Sequence, residues 1–157
     1  MAKDLFSDQA SLYAAYRPTY PAELFTYLLQ FVKNKTAAWD CATGNGQAAI
    51  ALSRFFKTVY ATDISEQQLK HAVNKSNIKY STSAAEKTSF DDKTFDLITV
   101  AQAYHWLDFT LFEKETKRVA KQDAIIAIWG YGLIYTAHPI INNMIRHLYS
   151  NVLGILG

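Results

Sequence analysis

The stretch Trp39-Asp40-Cys41-Ala42-Thr43-Gly44-Asn45-Gly46 decides how the rest of the chain folds. It leaves an apolar strand, turns on Gly44 and Gly46, and opens a helix at Gln47-Ala48-Ala49-Ile50-Ala51-Leu52. Glycines at such a turn let the backbone bend sharply and approach a ligand closely, because no Cβ intervenes. A strand, a glycine turn and a helix in this order are expected to seat a cofactor. Gly44-x-Gly46-x-x-Ala49, with Asp63 at the customary distance, satisfies the dinucleotide-binding pattern. Asp40 speaks against that reading, because a pyrophosphate would bring negative charge beside a carboxylate at the strand end. A cationic cofactor is complementary at the same place, and Asp63 keeps its role as acceptor for ribose hydroxyls.

S-adenosylmethionine, with a sulfonium and an α-ammonium, is such a cofactor. The composition agrees with a small-molecule partner. Half of the 157 residues are hydrophobic, enough to bury the core of one domain. A net charge of +2, from 16 basic and 14 acidic residues, gives no broad field for nucleic acid or a membrane surface. A single cysteine, Cys41, excludes an internal disulfide and a multi-cysteine zinc site, and it reads as a small buried residue. The N-terminus lacks a charged-then-apolar signal pattern and no apolar run is long enough to span a bilayer, so a cytoplasmic location is expected. The aromatic share of 14 % is high, and most of these rings belong in the core.

Outward from the loop, Thr58 to Thr62 reads as a second strand ending at Asp63, which completes a βαβ unit after a first strand from Thr36 to Cys41 and a helix from Gln47 to Phe56. Ser65 with Gln68 resembles a capping box opening a helix from Glu66 to Lys75. Asn77 to Ser81 is a weak third strand. Phe95-Asp96-Leu97-Ile98-Thr99-Val100-Ala101 is a strong fourth one, of the kind covered on both faces in a parallel sheet. A helix from Phe109 to Lys121 leads to a fifth, buried-type strand from Ala124 to Trp129, and Pro139 to Leu153 reads as helical. Upstream, Ala22 to Lys33 forms a helix with a broad apolar stripe, and Pro18 and Pro21 divide the preceding segment into a short helix and an extended link. This alternation predicts an α/β fold with a doubly wound, mostly parallel sheet. A single domain then comprises an N-terminal helical or lid segment, residues 1–34, and a cofactor-binding core, residues 36–130. The apolar ending Val152-Leu153-Gly154-Ile155-Leu156-Gly157 predicts a domain cut short at its C-terminus, with self-association through the open edge; burial against a partner is the other reading.

The acidic residue and glycine loop, the acidic end of the second strand, the Ala85-Glu86 pair and Phe95-Asp96-Leu97-Ile98 occur in an order that resembles the Rossmann-like S-adenosylmethionine-dependent methyltransferases, from about Phe6 to Gly130. Tyr16-Arg17-Pro18-Thr19-Tyr20-Pro21 and Ala103-Tyr104-His105-Trp106 are similar to the branch containing trans-aconitate-type and other small-molecule methyltransferases. The resemblance implies the strand order 3-2-1-4-5. It implies that Asp40, Ala42, Gly44 and Gly46 lie under the methionine portion and that Asp63 holds the ribose. Ile64 packs on adenine, Ala85 offers it backbone hydrogen bonds, Glu86 belongs to the cofactor set, and Gln102 and Ala103 border the sulfonium. Ala42 stands where many members have glycine and Ala84 where many have an acidic residue, so adenine binding is expected to rest on backbone groups. The family's sheet continues with two further strands, one antiparallel, which this sequence is expected to lack.

Several residues carry two readings. Arg17 is a surface cation or reaches the cofactor carboxylate. Tyr13, Tyr16 and Tyr20 form a lid over the substrate or simply pack. His105 and Trp106, just past the fourth strand, face the acceptor or are structural. His71, His138 and His147 show no metal-ligand spacing. The expected reaction is in-line methyl transfer to a small molecule, with a carboxylate as one candidate. A carboxylate is already ionised near neutral pH, leaving His105 to orient it; a phenol or amine would need His105 as base. The competing readings are an NAD-dependent oxidoreductase and a non-catalytic domain that binds the cofactor or a partner.

Overall fold

The computed structural model describes residues 19–132 and 135–152. One parallel sheet runs through it in the order β3-β2-β1-β4-β5, built from β1 (Ala37–Cys41), β2 (Thr58–Asp63), β3 (Ile78–Thr82), β4 (Phe95–Ala101) and β5 (Ala120–Trp129). The connecting helices are α1 (Ala22–Leu28), α2 (Gln47–Leu52), α3 (Glu66–Lys70) and α4 (Phe109–Val119); α5 (Pro139–His147) and a π-helical stretch, Leu148–Val152, follow β5. The expected strand order is borne out. Because β1 and β4 are neighbours while their crossovers leave in opposite directions, the C-terminal ends of these two strands frame the crevice of a doubly wound sheet.

Both central strands are buried along their whole length, as continuous apolar runs in a two-sided sheet require. On one face, Phe25 and Leu28 of α1 and Ala48, Ala49 and Leu52 of α2 cover Ala38, Val59, Ala61, Leu97 and Ala101. On the other, Phe112 and Val119 of α4 cover Trp39, Phe95, Ile98 and Val100. Trp39, Phe90 and Phe95 pack edge-to-face or tilted, and the Trp39 indole N–H donates to the Thr62 hydroxyl at 2.8 Å. Cys41 is buried, as its size and chemistry suggest.

The helices are shorter than their sequence patterns. After α1, Gln30 and Phe31 donate to carbonyls only three residues back, and the tightened turn drops Val32 into the core. After α2, the side-chain amide of Asn77 caps the Ser53 and Phe56 carbonyls and stops propagation. The helix beginning at Glu66 ends at Lys70, and the Val73 carbonyl accepts the Tyr80 hydroxyl instead. Conversely β5 begins at Ala120, directly after α4, because Lys93 and Thr94 donate to the Arg118 and Val119 carbonyls and zip the chain onto β4 at once. It is an edge strand rather than a buried one: Ile126 and Ile128 are 43 % and 44 % exposed. Its first residues are tied by Lys121 Nζ to Asp96 Oδ1 at 2.7 Å, while Asp96 Oδ2 accepts the N–H groups of Thr36 and Ala37. Among the described residues no helix is long and apolar enough to cross a membrane, and no cluster of three or more His, Cys, Asp or Glu side chains is placed to hold a metal ion.

Candidate functional site

The loop after β1 takes its shape from three residues in the left-handed region: Ala42 at φ 52°, Gly44 at 59° and Gly46 at 86°. Three of its N–H groups are engaged within the protein. Thr43 donates to the Thr62 carbonyl, Gly44 to Asp63 Oδ2 at 2.8 Å, and Gly46 to the Thr43 carbonyl. Gly46 also begins α2 against Tyr80 of β3: a Cβ there would overlap the hydroxyl and meet two ring carbons at 3.1 Å. Its lack of a side chain therefore serves close helix–strand packing, while Gly44 serves the turn.

Carboxylates gather around this loop. Asp40 is buried at the end of β1 and accepts the hydroxyls of Thr43 and Thr99. Asp63, at the end of β2, binds the Gly44 N–H with one oxygen and the Ser65 N–H with the other at 2.9 Å, so it joins the loop to the start of α3. The cofactor reading and the helix-start reading of Asp63 are thus compatible in one side chain. Glu86 accepts the Asp108 N–H at 3.1 Å, just ahead of α4. The thiol of Cys41 registers the combined field: burial pushes its pKa well up, and Asp40, Glu86 and Asp63 push it further. Burial, with Asp40 adding to it, likewise raises the Tyr80 hydroxyl to about 12. Two amide oxygens, Asn45 Oδ1 in the loop and Gln47 Oε1 at the start of α2, are buried without a hydrogen-bond partner among the described residues.

The ends of β4 and β5 differ in polarity. Gln102 follows β4 in the left-handed region, φ 63°, and its N–H donates to the Trp129 carbonyl at 2.9 Å. Its side-chain Oε1 accepts the Tyr131 N–H at 2.9 Å, which fixes the amide so that Nε2 faces away from that bond. Nε2 and the Trp129 indole Nε1 are buried donors without a partner among the described residues. Tyr20 packs edge-on against Trp129 at 5.5 Å and stacks on Tyr131 at 6.2 Å, so the tyrosine expected at the substrate lies in this cluster. Ala103 precedes a tight helical turn, Tyr104–Trp106, in which Tyr104 stacks on Phe109 at 4.7 Å and His105 and Trp106 are turned outward with rings 4.8 Å apart. Ile64 is 40 % exposed beside Asp63, and Ala85 is buried in the turn bridged by Ala84 and Lys87. Arg17, Tyr13 and Tyr16 lie outside the described residues.

Asn45, Gln47, Thr43, Thr99, Tyr80 and Trp129 were not singled out by the sequence. Thr43, Asn45 and Gln47 stand inside the quoted loop and its helix, and their polarity beside the glycines is the signal that marks them. Trp129 and Tyr80 carry no such mark, because their partners are distant in the chain.

A model described as a methyltransferase domain matches residues 39–128. The chain belongs to the methyltransferase domain family. A Dictyostelium discoideum protein named "putative methyltransferase" is 37 % identical over 132 residues, covering 83 % of this chain and 50 % of that protein. The solved structure of a "putative type II methyltransferase" from Anaeromyxobacter dehalogenans is 34 % identical with a TM-score of 0.76, over 88 % of this chain and 59 % of the other. That of a SAM dependent methyltransferase from Aquifex aeolicus is 28 % identical with a TM-score of 0.67, over 83 % of this chain and 77 % of the other. The chain spans about half the length of the curated relatives it matches. Family membership decides against the oxidoreductase reading.

Proposed function

We propose that this chain binds S-adenosylmethionine at the loop between β1 and α2 and that the protein transfers its methyl group to a small molecule, a carboxylate being the acceptor class we favour. The observation that carries the reading is the polarity of the loop. A pyrophosphate-binding turn offers backbone N–H groups to the ligand. Here those of Thr43, Gly44 and Gly46 are already engaged, while carboxylates and the orphaned oxygens of Asn45 and Gln47 stand around the loop. Such a surface suits a ligand that brings positive charge and donors, as the α-ammonium, sulfonium and ribose hydroxyls do.

In this reading Asp63 accepts from the ribose as well as from Gly44 and Ser65, and Asp40, Ala42, Gly44 and Gly46 shape the floor under the methionine portion. Ile64 supplies an apolar surface for adenine, Ala85 and Glu86 border its edge, and Gln102 and Ala103 border the reacting centre. Arg17, Tyr13 and Tyr16 belong to the segment of residues 1–34 expected to close over the core of residues 36–130. The bound cofactor supplies an electrophilic methyl group that is displaced in line, so what the protein contributes is alignment and exclusion of water. His105 orients an ionised acceptor and is required as a base only for a protonated one.

Calorimetric titration with S-adenosylhomocysteine and with NAD tests the reading: binding of the first and not of the second is expected. Asp63→Ala should weaken S-adenosylhomocysteine by about 1–3 kcal/mol, the usual cost of losing hydrogen bonds to a charged acceptor. Unchanged affinity in that variant would remove Asp63 from the site, and binding of NAD alone would refute the function.

A further inference from the structure

The orphaned polar atoms are segregated: acceptors at the glycine loop, donors at the ends of β4 and β5. Buried polar groups are ordinarily paired, so an orphan at a strand end where ligands bind asks for a ligand atom of the opposite kind. Gln102 Nε2 and Trp129 Nε1 are two such donors on adjacent strands, linked by the Gln102 N–H to Trp129 carbonyl bond. Both are held in place. The Tyr131 N–H fixes the Gln102 amide, and Tyr20 and Phe25 clasp the Trp129 ring edge-on at 5.5 and 6.2 Å. Gln102 keeps this position at the cost of a left-handed backbone, which its side chain does nothing to favour.

We propose that Gln102 Nε2 and Trp129 Nε1 are the oxygen-binding end of the acceptor site, selecting a methyl acceptor that presents an oxyanion and rejecting one that presents an ammonium group. Neither donor carries a charge, so the pair recognises lone pairs without neutralising a nucleophile, and an ammonium group, which has only donors to offer, leaves both unpaired. The assignment rests on the methyltransferase reading above and adds to it the residues that choose the acceptor.

The test uses the isotope-labelled 157-residue chain saturated with S-adenosylhomocysteine. The side-chain resonances are identified by their loss in Gln102→Glu, which preserves an acceptor for the Tyr131 N–H, and in Trp129→Phe, which preserves the ring packing. Acetate, succinate and benzoate are expected to move both resonances and acetamide, a neutral acceptor, to move them less; methylammonium and benzylammonium are not. Each variant, kept saturated with S-adenosylhomocysteine, should weaken the tightest of these carboxylates by about tenfold or more, Gln102→Glu the more strongly because a negative charge replaces a donor. Resonances that no carboxylate moves, or that the ammonium compounds move equally, overturn the inference. So does a movement caused by S-adenosylhomocysteine but not by methylthioadenosine, which would put the cofactor's own amino-acid portion there. Failure of S-adenosylhomocysteine to bind the unaltered chain refutes the function itself, whereas bound cofactor with silent resonances refutes only this assignment.

Discussion

Two sets of buried carboxylates divide the molecule between them. Asp96, at the start of β4, and Glu115, on α4, each hold a cation: Lys121 Nζ lies 2.7 Å from Asp96, and Arg118 lies 2.7 Å from Glu115. Arg118 also binds Asp92 and the Phe90 carbonyl, and Thr88 donates to Glu115 through both its N–H and its hydroxyl. This network staples the segment after β3 to α4. Asp40 and Asp63, at the opposite ends of the strands, accept from the hydroxyls of Thr43 and Thr99 and the N–H groups of Gly44 and Ser65. Every orphaned buried side-chain polar atom among the described residues lies at that end, as do Ala42 and Gln102 with their left-handed backbones, whereas Lys93, also left-handed, precedes β4. Burial and charge alone do not separate a structural carboxylate from a functional one. The state of the neighbouring donors and acceptors does.

The largest expected effect comes from placing a side chain where the functional end has no room. Gly46→Ala brings a left-handed non-glycine residue and a Cβ overlapping the Tyr80 ring, and together these should cost about 2–5 kcal/mol. Denaturant unfolding measures it. Adding Tyr80→Ala should recover the packing part and leave the backbone part, because the two terms are separable in a double-mutant cycle. If the single variant is as stable as the parent, the contact between α2 and β3 does not constrain the loop.

The structural set answers to pH. Burial raises the Glu115 carboxyl, but the hydrogen bonds from Arg118 and Thr88 outweigh it and hold the group down at about 2. Its ordinary value in the unfolded chain is about 4.3, so the native state favours the ionised form. The stabilisation is therefore fully present above that ordinary value and is lost as pH falls from about 4 toward about 2, a loss on the order of 2–3 kcal/mol. Glu115→Gln should show a comparable deficit near neutral pH, flatten the acid limb of the stability curve, and leave S-adenosylhomocysteine affinity unchanged. A matching loss of affinity would erase the distinction between the two sets.

The two sets were unequally legible in the sequence. The loop, the order of strands and the span of β4 follow from glycine placement and from continuous apolar runs, which are local signals. Asp40 and Asp63 were visible because they sit at strand ends beside that loop. Helix ends were not, because α2 is stopped by Asn77, distant in sequence, and α1 by the pull of Val32 into the core. The start of β5 was hidden by Lys121-Gln122-Asp123, a polar run that reads as a break. Lys121 is polar because it reaches Asp96, and Asp123 because it reaches Lys33. Trp129, Gln102 and Tyr131 are ordinary residues in sequence, and only the register of β4 with β5 makes the first two a pair.

The smallest effect is the most pointed, because it asks whether the functional end is strained. Ala42 holds φ 52°, a conformation that costs a non-glycine residue about 1–2 kcal/mol. Replacing it with glycine removes that cost but widens the unfolded ensemble, worth about 0.4–1 kcal/mol in the other direction. It also removes a methyl group that is only partly buried against the core cluster on the α4 face, a further fraction of about 0.8 kcal/mol. These terms nearly cancel, so Ala42→Gly should leave thermal stability within about 0.5 kcal/mol of the parent. Ala49→Gly, in the interior of α2 and fully buried, has no strain to release and should cost about 1 kcal/mol or more. The two variants are compared by denaturant midpoint at matched conditions. Equal losses at both positions would mean that the left-handed turn after β1 stores nothing, and that its geometry is an ordinary feature of the fold rather than one maintained for the ligand.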